Sequence, residues 1–251
     1  MGLISILVHL IGVASFALVI WQQLQDIPIP LEVLSKLKEL GTLEFGGNWK
    51  YLTFWNLWLQ LFYFGLCLIN DVLGRKGFRN TRTKLARLED HIFASLGFPM
   101  GMIVGIVFWT FYFVDRELSF PEILDQVVPS WANHLMHTIV VPLQLYEMIF
   151  VYHKYPSNVS GSMTTVGYNF IYICWTLYVA YVGGFWVYPI LQVLPPIQRA
   201  LFIAAMSLFG AVVYFAGKGI NRLVWGQDYI IDHQPLPKNT KASKSKSKKY
   251  A

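Results

Sequence analysis

Charge is what this sequence has least of. Only 14% of its 251 residues are Asp, Glu, Lys or Arg, where soluble domains carry about a quarter. The deficit is uneven: apolar blocks of about 20 residues, the length that crosses a hydrocarbon core, alternate with short polar stretches, and 55% of the chain is hydrophobic. An amphipathic soluble helix would interrupt such blocks with polar positions every few residues, so a soluble domain is excluded. Cysteine is almost missing. Its two copies, Cys67 and Cys174, lie inside apolar blocks and read as small packed hydrophobes, which excludes a disulfide scaffold. No basic stretch precedes the first apolar run, so it reads as a retained helix and not a cleaved signal. Internal repeats are missing, as is the Gly-x-Ser-x-Gly elbow of ordinary serine hydrolases.

What is present is a set of apolar spans at 3–21, 51–73, 92–114, 131–152, 166–188 and 197–217. They predict an all-α, polytopic membrane protein with about six transmembrane helices. Trp21, Tyr51, Trp131, Tyr152 and Tyr188 near the span ends form an interfacial aromatic belt. The basic residues orient the spans. Arg75, Lys76, Arg79, Arg82, Lys84 and Arg87 follow the second span, Lys154 follows the fourth, and Lys218, Arg222, Lys238, Lys241, Lys244, Lys246, Lys248 and Lys249 follow the sixth. The other side carries only Lys36, Lys38, Lys50, Arg116 and Arg199. The positive-inside rule then puts both termini in the cytoplasm, and the net charge of +6 needs no nucleic-acid partner. Residues 30–40, with Leu31, Leu34, Leu37 and Leu40 three apart, suggest a short amphipathic helix on the lumenal surface or a plain loop. We divide the chain into a membrane domain, 1–225, and a lysine-rich tail, 226–251, too poor in apolar residues to fold. The last four residues, Lys248-Lys249-Tyr250-Ala251, resemble a dilysine retrieval signal. That suggests the endoplasmic reticulum, with the plasma membrane as a further location; a basic tail drawn to anionic lipid is the plainer reading. The sequon at Asn158 falls on the cytoplasmic side and is expected to stay unmodified.

Polar residues within spans are costly and invite a functional question. Asp71, Asp90 and Glu147 fall near cytoplasmic ends, where water is within reach, and His9 reads as a packed, hydrogen-bonded neutral histidine rather than a ligand. The fourth span carries most: Asn133, His134 and His137 in its lumenal third, with Gln144 two turns on. His134 and His137, three apart, are expected on one face. A metal pair, a structural polar cluster and a general base each fit them. With six histidines, three of them (His91, His153 and His233) on the opposite side, a third and fourth metal ligand are hard to find. A base needs a hydroxyl at its own depth. Thr53 and His137 enter from the same side at depths that differ by roughly 6 Å, so one lumenal-leaflet cavity accommodates both. Spacing alone does not single out Thr53, since most membrane threonines bond back to their own helix.

Two stretches, Gly46-Gly47-Asn48-Trp49-Lys50-Tyr51-Leu52-Thr53-Phe54 and Asn133-His134-Leu135-Met136-His137-Thr138, resemble the signatures of the androgen-induced gene product and androgen-dependent TFPI-regulating protein family. Further similar blocks are Phe98-Pro99-Met100-Gly101, Asp115-Arg116-Glu117, His153-Lys154-Tyr155-Pro156-Ser157 and Trp186-Val187-Tyr188-Pro189. The resemblance implies a multi-pass hydrolase of fatty acid esters of hydroxy fatty acids, with Thr53 as nucleophile and His137 as base. No cofactor and no metal are expected. Asn133 and His134 are then candidates to support the histidine or the oxyanion, and Lys50 and Arg116 to hold a substrate carboxylate. The expected partners are a lipid ester arriving from the bilayer and the surrounding membrane lipids. A non-catalytic lipid carrier or transporter and a regulatory membrane scaffold are the alternative readings.

Overall fold

The computed structural model describes residues 3–25, 29–39, 45–73 and 82–226, and within them all regular structure is helical. The basic tail, most of the basic loop after the second span, and Leu40 lie outside the described residues. Helix α1 is Leu3–Gln23, α2 Leu31–Glu39, α3 Leu52–Val72, α4 Lys84–Ile92 and α5 Phe98–Asp115. Then follow α6 Ser130–His137, α7 Val140–Phe150, α8 Asn158–Gly183, α9 Pro189–Val193 and α10 Pro196–Val224. Among the described residues, four helical runs are long and apolar enough to cross a membrane: Leu3–Gln23, Leu52–Val72, Lys84–Leu118 and Pro196–Val224.

The helices meet through small residues and a ring-rich core. A Cβ on Gly12 of α1 would lie 2.6 Å from the Phe64 ring of α3, so only glycine allows that contact. Gly161 of α8 likewise makes room for the Tyr214 hydroxyl of α10. Phe16, Leu57, Tyr63, Phe64, Phe93, Met100, Val140 and Tyr214 are all buried between them.

Prolines break the helices where the site is built. Pro99 has no N–H for the carbonyl of Ser95, one turn back. A one-turn π-helix, Phe93–Gly97, takes up the mismatch, and Thr165 Oγ1 of α8 donates to the Ser95 carbonyl at 2.6 Å. Pro142 does the same to Thr138. The expected single span 131–152 is therefore two helices: α6 ends at His137, the His134 carbonyl accepts from both Thr138 and Ile139, and α7 restarts at Val140. Gly105 of α5 lets this broken turn approach closely, since a Cβ there would be 3.0 Å from the His137 carbonyl.

The segment expected as an amphipathic surface helix does fold, as α2, but it turns Val33 and Leu37 into the protein while Leu31 stays exposed. It packs against the 3₁₀ segment Glu122–Gln126, and Leu37 lines a cavity.

A second correction concerns the acidic residues expected at the water interface. Asp71, Asp90 and Glu147 have buried side chains. His9 bridges Asp71 at 2.6 Å and Glu147 at 2.7 Å. Tyr63 donates to Glu147, His153 lies 3.3 Å from both Glu147 and Asp90, and Arg82 donates to Asp90 at 2.6 Å. Each charge thus has a partner of opposite sign or a donor, which is the condition for burying it. Asp71 is at the far end of α3 from Thr53, about 27 Å along the helix.

Candidate functional site

Gly46 and Gly47 both have positive φ, 95° and 52°, a conformation that other residues rarely adopt. They turn the chain into a short 3₁₀ segment, Gly47–Lys50, from which α3 starts after the extended Tyr51. Thr53 is therefore in the first turn of α3, with no carbonyl of its own helix one turn behind to bond. Its hydroxyl turns instead to α6: Thr53 Oγ1 is 3.2 Å from His137 Nε2.

His137 is buried and held on its other side. Nδ1 is 2.8 Å from Asn133 Oδ1 and 3.1 Å from the Asn133 carbonyl oxygen. A backbone carbonyl only accepts, so the proton belongs on Nδ1, and the Nε2 lone pair is left facing the threonine hydroxyl. The imidazole lies flat on Phe108, with ring centres 3.6 Å apart and planes within 10°. Stack and hydrogen bonds together fix its orientation. Thr53, His137 and Asn133 form a chain of hydroxyl, imidazole and amide.

Thr53 and His137 both line a cavity of about 570 Å³. Its wall is mostly Leu, Ile, Val and Phe from α3, α5, α8, α9, α10 and the segment before α6, with Gln22, Gln23, Gln25 and Asn48 toward the end of α1. Among the described residues that line it there is no Lys, Arg, Asp or Glu. That volume and character suit a chain-like apolar ligand with few polar points.

Other candidates fall elsewhere. His134 is exposed and outside the cavity lining, stacked on Trp109 and 3.0 Å from Thr138 Oγ1. His134 and His137 are neighbours about 60° apart on α6, but the boundary between buried and exposed surface runs between them, so His137 lines the cavity and His134 does not. Gln144 is buried against Gln60 at 2.6 Å and bonds no ring nitrogen of His137. Lys50 is buried with its ammonium over the rings of Tyr51 and Phe185, outside the cavity lining. Arg116 is paired with Asp125 at 2.8 Å and also stands outside that lining.

Two residues that sequence reasoning missed stand beside the nucleophile candidate. The hydroxyls of Tyr172 and Tyr188 both accept from the Leu52 N–H, at 2.9 and 3.0 Å, and are 2.9 Å from each other. They anchor the start of α3. Tyr188 was visible only as part of an aromatic belt, and Tyr172 carried no signal in an already aromatic span.

One described group has metal-binding side chains close together: His9, Cys67 and Glu147, with ligand atoms within 4.8 Å of one another. Its His9–Glu147 contact of 2.7 Å is a hydrogen bond. Two ligands of one tetrahedral zinc stand roughly 3.3 Å apart, so these side chains are set to bond each other.

Comparison with known proteins gives a consistent picture. A family model described as FAR-17a/AIG1-like protein matches residues 4–222. The chain is 38% identical to human androgen-induced gene 1 protein over 188 residues, covering 72% of this chain and 79% of the relative. It is 37% identical to mouse androgen-dependent TFPI-regulating protein over 189 residues, covering 75% and 82%. A membrane protein of Schizosaccharomyces pombe is 26% identical over 187 residues, covering 71% and 77%. No solved structure matches the chain.

Proposed function

This chain belongs to the FAR-17a/AIG1-like family of membrane proteins, and on that footing we propose that it is an intramembrane lipid-ester hydrolase. In this reading its substrates are fatty acid esters of hydroxy fatty acids, Thr53 is the nucleophile and His137 the general base. The observation that carries the proposal is the 3.2 Å contact between Thr53 Oγ1 and His137 Nε2 inside an apolar cavity. A histidine with its proton held on Nδ1 has one free basic site, and that site faces the hydroxyl.

His137 takes the Thr53 proton as Oγ1 bonds to the ester carbonyl carbon. The tetrahedral oxyanion collapses, the bond to the alkyl oxygen breaks, and His137 returns the proton to the leaving alkoxide as the hydroxy fatty acid departs. Water, deprotonated by His137, then attacks the acyl-threonine, and the fatty acid and Thr53 are released. The Leu52 N–H is already engaged by two tyrosines. The Thr53 N–H, in the helix's first turn, is then the backbone donor we assign to the oxyanion, in a place that favours negative charge. Asn133 acts through His137 by keeping the proton on Nδ1. The six-span arrangement with both termini in the cytoplasm is part of the same proposal. It puts the Thr53 end of α3 in the lumenal leaflet, so that a two-chain lipid enters sideways from the bilayer.

Purified protein incubated with the palmitate ester of a hydroxystearic acid is expected to release the hydroxy acid, and Thr53→Ala and His137→Ala to lower that rate by about 10²- to 10⁴-fold. A lipid carrier would bind the ester in all three proteins and release nothing. A scaffold would be indifferent to both substitutions.

A further inference from the structure

The two tyrosines at the start of α3 differ in where their protons go. A tyrosine hydroxyl has one proton to donate and can accept as well. Tyr172 donates to the Lys50 carbonyl at 3.0 Å, so its proton is committed. In the 2.9 Å contact between the two hydroxyls the donor is therefore Tyr188. The Leu52 N–H is shared by both oxygens. Tyr172 thus ties a carbonyl to an amide. The Tyr188 proton, among the described residues, has only another neutral hydroxyl to go to. Tyr188 precedes Pro189, whose ring favours the extended backbone that Tyr188 has at the head of α9. It lines the cavity together with Thr53 and Tyr172.

The neighbouring Thr53 N–H has no acceptor among the described residues. The two carbonyls one turn back that would take it are turned to side chains. Lys50 accepts from Tyr172, and Trp49 accepts from the indoles of Trp55 and Trp175 at 2.7 and 2.8 Å. N–H groups of a first turn point out of the same end of the helix, about 1.5 Å apart along its axis. Oxygens of a single bound phosphate can therefore sit on neighbouring ones. The Tyr188 oxygen, 3.0 Å from the Leu52 nitrogen, stands where one such oxygen would be. An oxyanion on the Thr53 N–H stands where the next would be, beside the Tyr188 hydroxyl.

We propose that Tyr188 is a further catalytic residue, whose hydroxyl donates to the oxyanion of the tetrahedral intermediate alongside the Thr53 N–H. This rests on the hydrolase reading above. The ester carbonyl of the bound substrate is a neutral acceptor and competes poorly with Tyr172 for the proton. As charge develops on that oxygen the bond becomes charge-assisted and roughly twice as strong, and the hydroxyl turns from Tyr172 to the oxyanion. The contact is thus stronger in the transition state than in the bound substrate, which is the condition for raising kcat. Tyr172 keeps the Leu52 N–H and the Lys50 carbonyl in place throughout.

Tyr188→Phe removes the proton and leaves the Tyr172 brace, so it tests donation apart from support. With the palmitate ester of a hydroxystearic acid, kcat should fall by about 10²- to 10³-fold, the usual loss for one oxyanion donor. KM should stay within about twofold of wild type, because the contact is made only in the transition state. A palmitoyl trifluoromethyl ketone, which forms a tetrahedral oxyanion on Thr53, should bind the variant about 10²-fold more weakly, whereas the unreactive ether analogue of the substrate should bind as it does to wild type. If gel filtration shows that Tyr188→Phe does not fold, 3-fluorotyrosine is incorporated at position 188, which keeps the hydroxyl and makes it more acidic. Once ionised, it still accepts from the Leu52 N–H but donates nothing, so the alkaline fall in kcat should move to lower pH than in wild type. Among the described residues, the other titratable groups against this ring are Tyr51, edge-on with ring centres 6.1 Å apart, and Tyr172, and both stay unsubstituted. Unchanged kcat in folded Tyr188→Phe, equal losses for ketone and ether, or an unshifted alkaline limb overturns the inference and leaves the hydrolase reading intact. Wild type that cleaves no ester overturns the hydrolase reading and the inference with it.

Discussion

Thr53 has a hydroxyl with no carbonyl of its own helix behind it, facing a histidine whose other nitrogen is locked by Asn133. Several outcomes follow for single residues. Asn133→Leu removes the amide oxygen but keeps the backbone acceptor, so kcat should fall by about tenfold rather than collapse, a share typical of one supporting contact; Asn133→Asp should recover most of it. His134→Ala should leave kcat and KM within about twofold, because His134 stacks on Trp109 away from the cavity. A comparable loss in both variants would show that the two side chains share a role. From residue types and depth alone, Thr53 and His137 were permitted partners and nothing more; the family resemblance selected them. The role of Asn133 could not be separated from that of Gln144 in the sequence, since both lie one or two helical turns from His137. Only the positions of the side chains tell them apart.

At the scale of elements, every expected apolar span corresponds to helix, and the interruptions are what the sequence concealed. Pro142 sits in the middle of the fourth span, and membrane helices tolerate proline because neighbours satisfy the freed carbonyls. Here the helix instead stops at His137 and restarts at Val140. The break leaves His137 at the end of α6, where its ring meets Thr53. Pro142→Ala should let the helix run on and rotate His137 away, lowering kcat by about 10-fold or more while circular dichroism shows unchanged or slightly higher helicity. Gly105→Ala presses on Val141 and the His137 carbonyl and should cost about 1–3 kcal/mol by overpacking, read as a lower melting temperature in detergent. The amphipathic segment at 30–40 was legible as a helix, but its direction was not. Residues three apart mark a face without saying whether lipid or protein covers it.

For the molecule as a whole, two polar centres stand at opposite ends of α3: the Thr53–His137 pair in its cavity and the ion cluster of His9, Asp71, Glu147, His153, Asp90 and Arg82. The second was hidden in the sequence because its members are spread from α1 to the loop after α7, and each alone resembles an interfacial residue. His153 lies beyond the end of α7. Burial by itself lowers its pKa, but hydrogen bonds and charge from Asp90 and Glu147 outweigh that and hold it above the ordinary histidine value. A raised folded-state value means that this contribution to stability is complete below about pH 6.5 and fades as pH rises through the raised value. Melting temperature in detergent should therefore drop on the alkaline side, and His153→Gln should flatten that dependence. The central claim is that Thr53 is the nucleophile of a hydrolase, and covalent trapping tests it most directly. Purified protein treated with a lipid-like fluorophosphonate and mapped by mass spectrometry should carry the adduct on Thr53, with labelling lost in Thr53→Ala and strongly slowed in His137→Ala. An adduct on another residue, or labelling unchanged in Thr53→Ala, would contradict it.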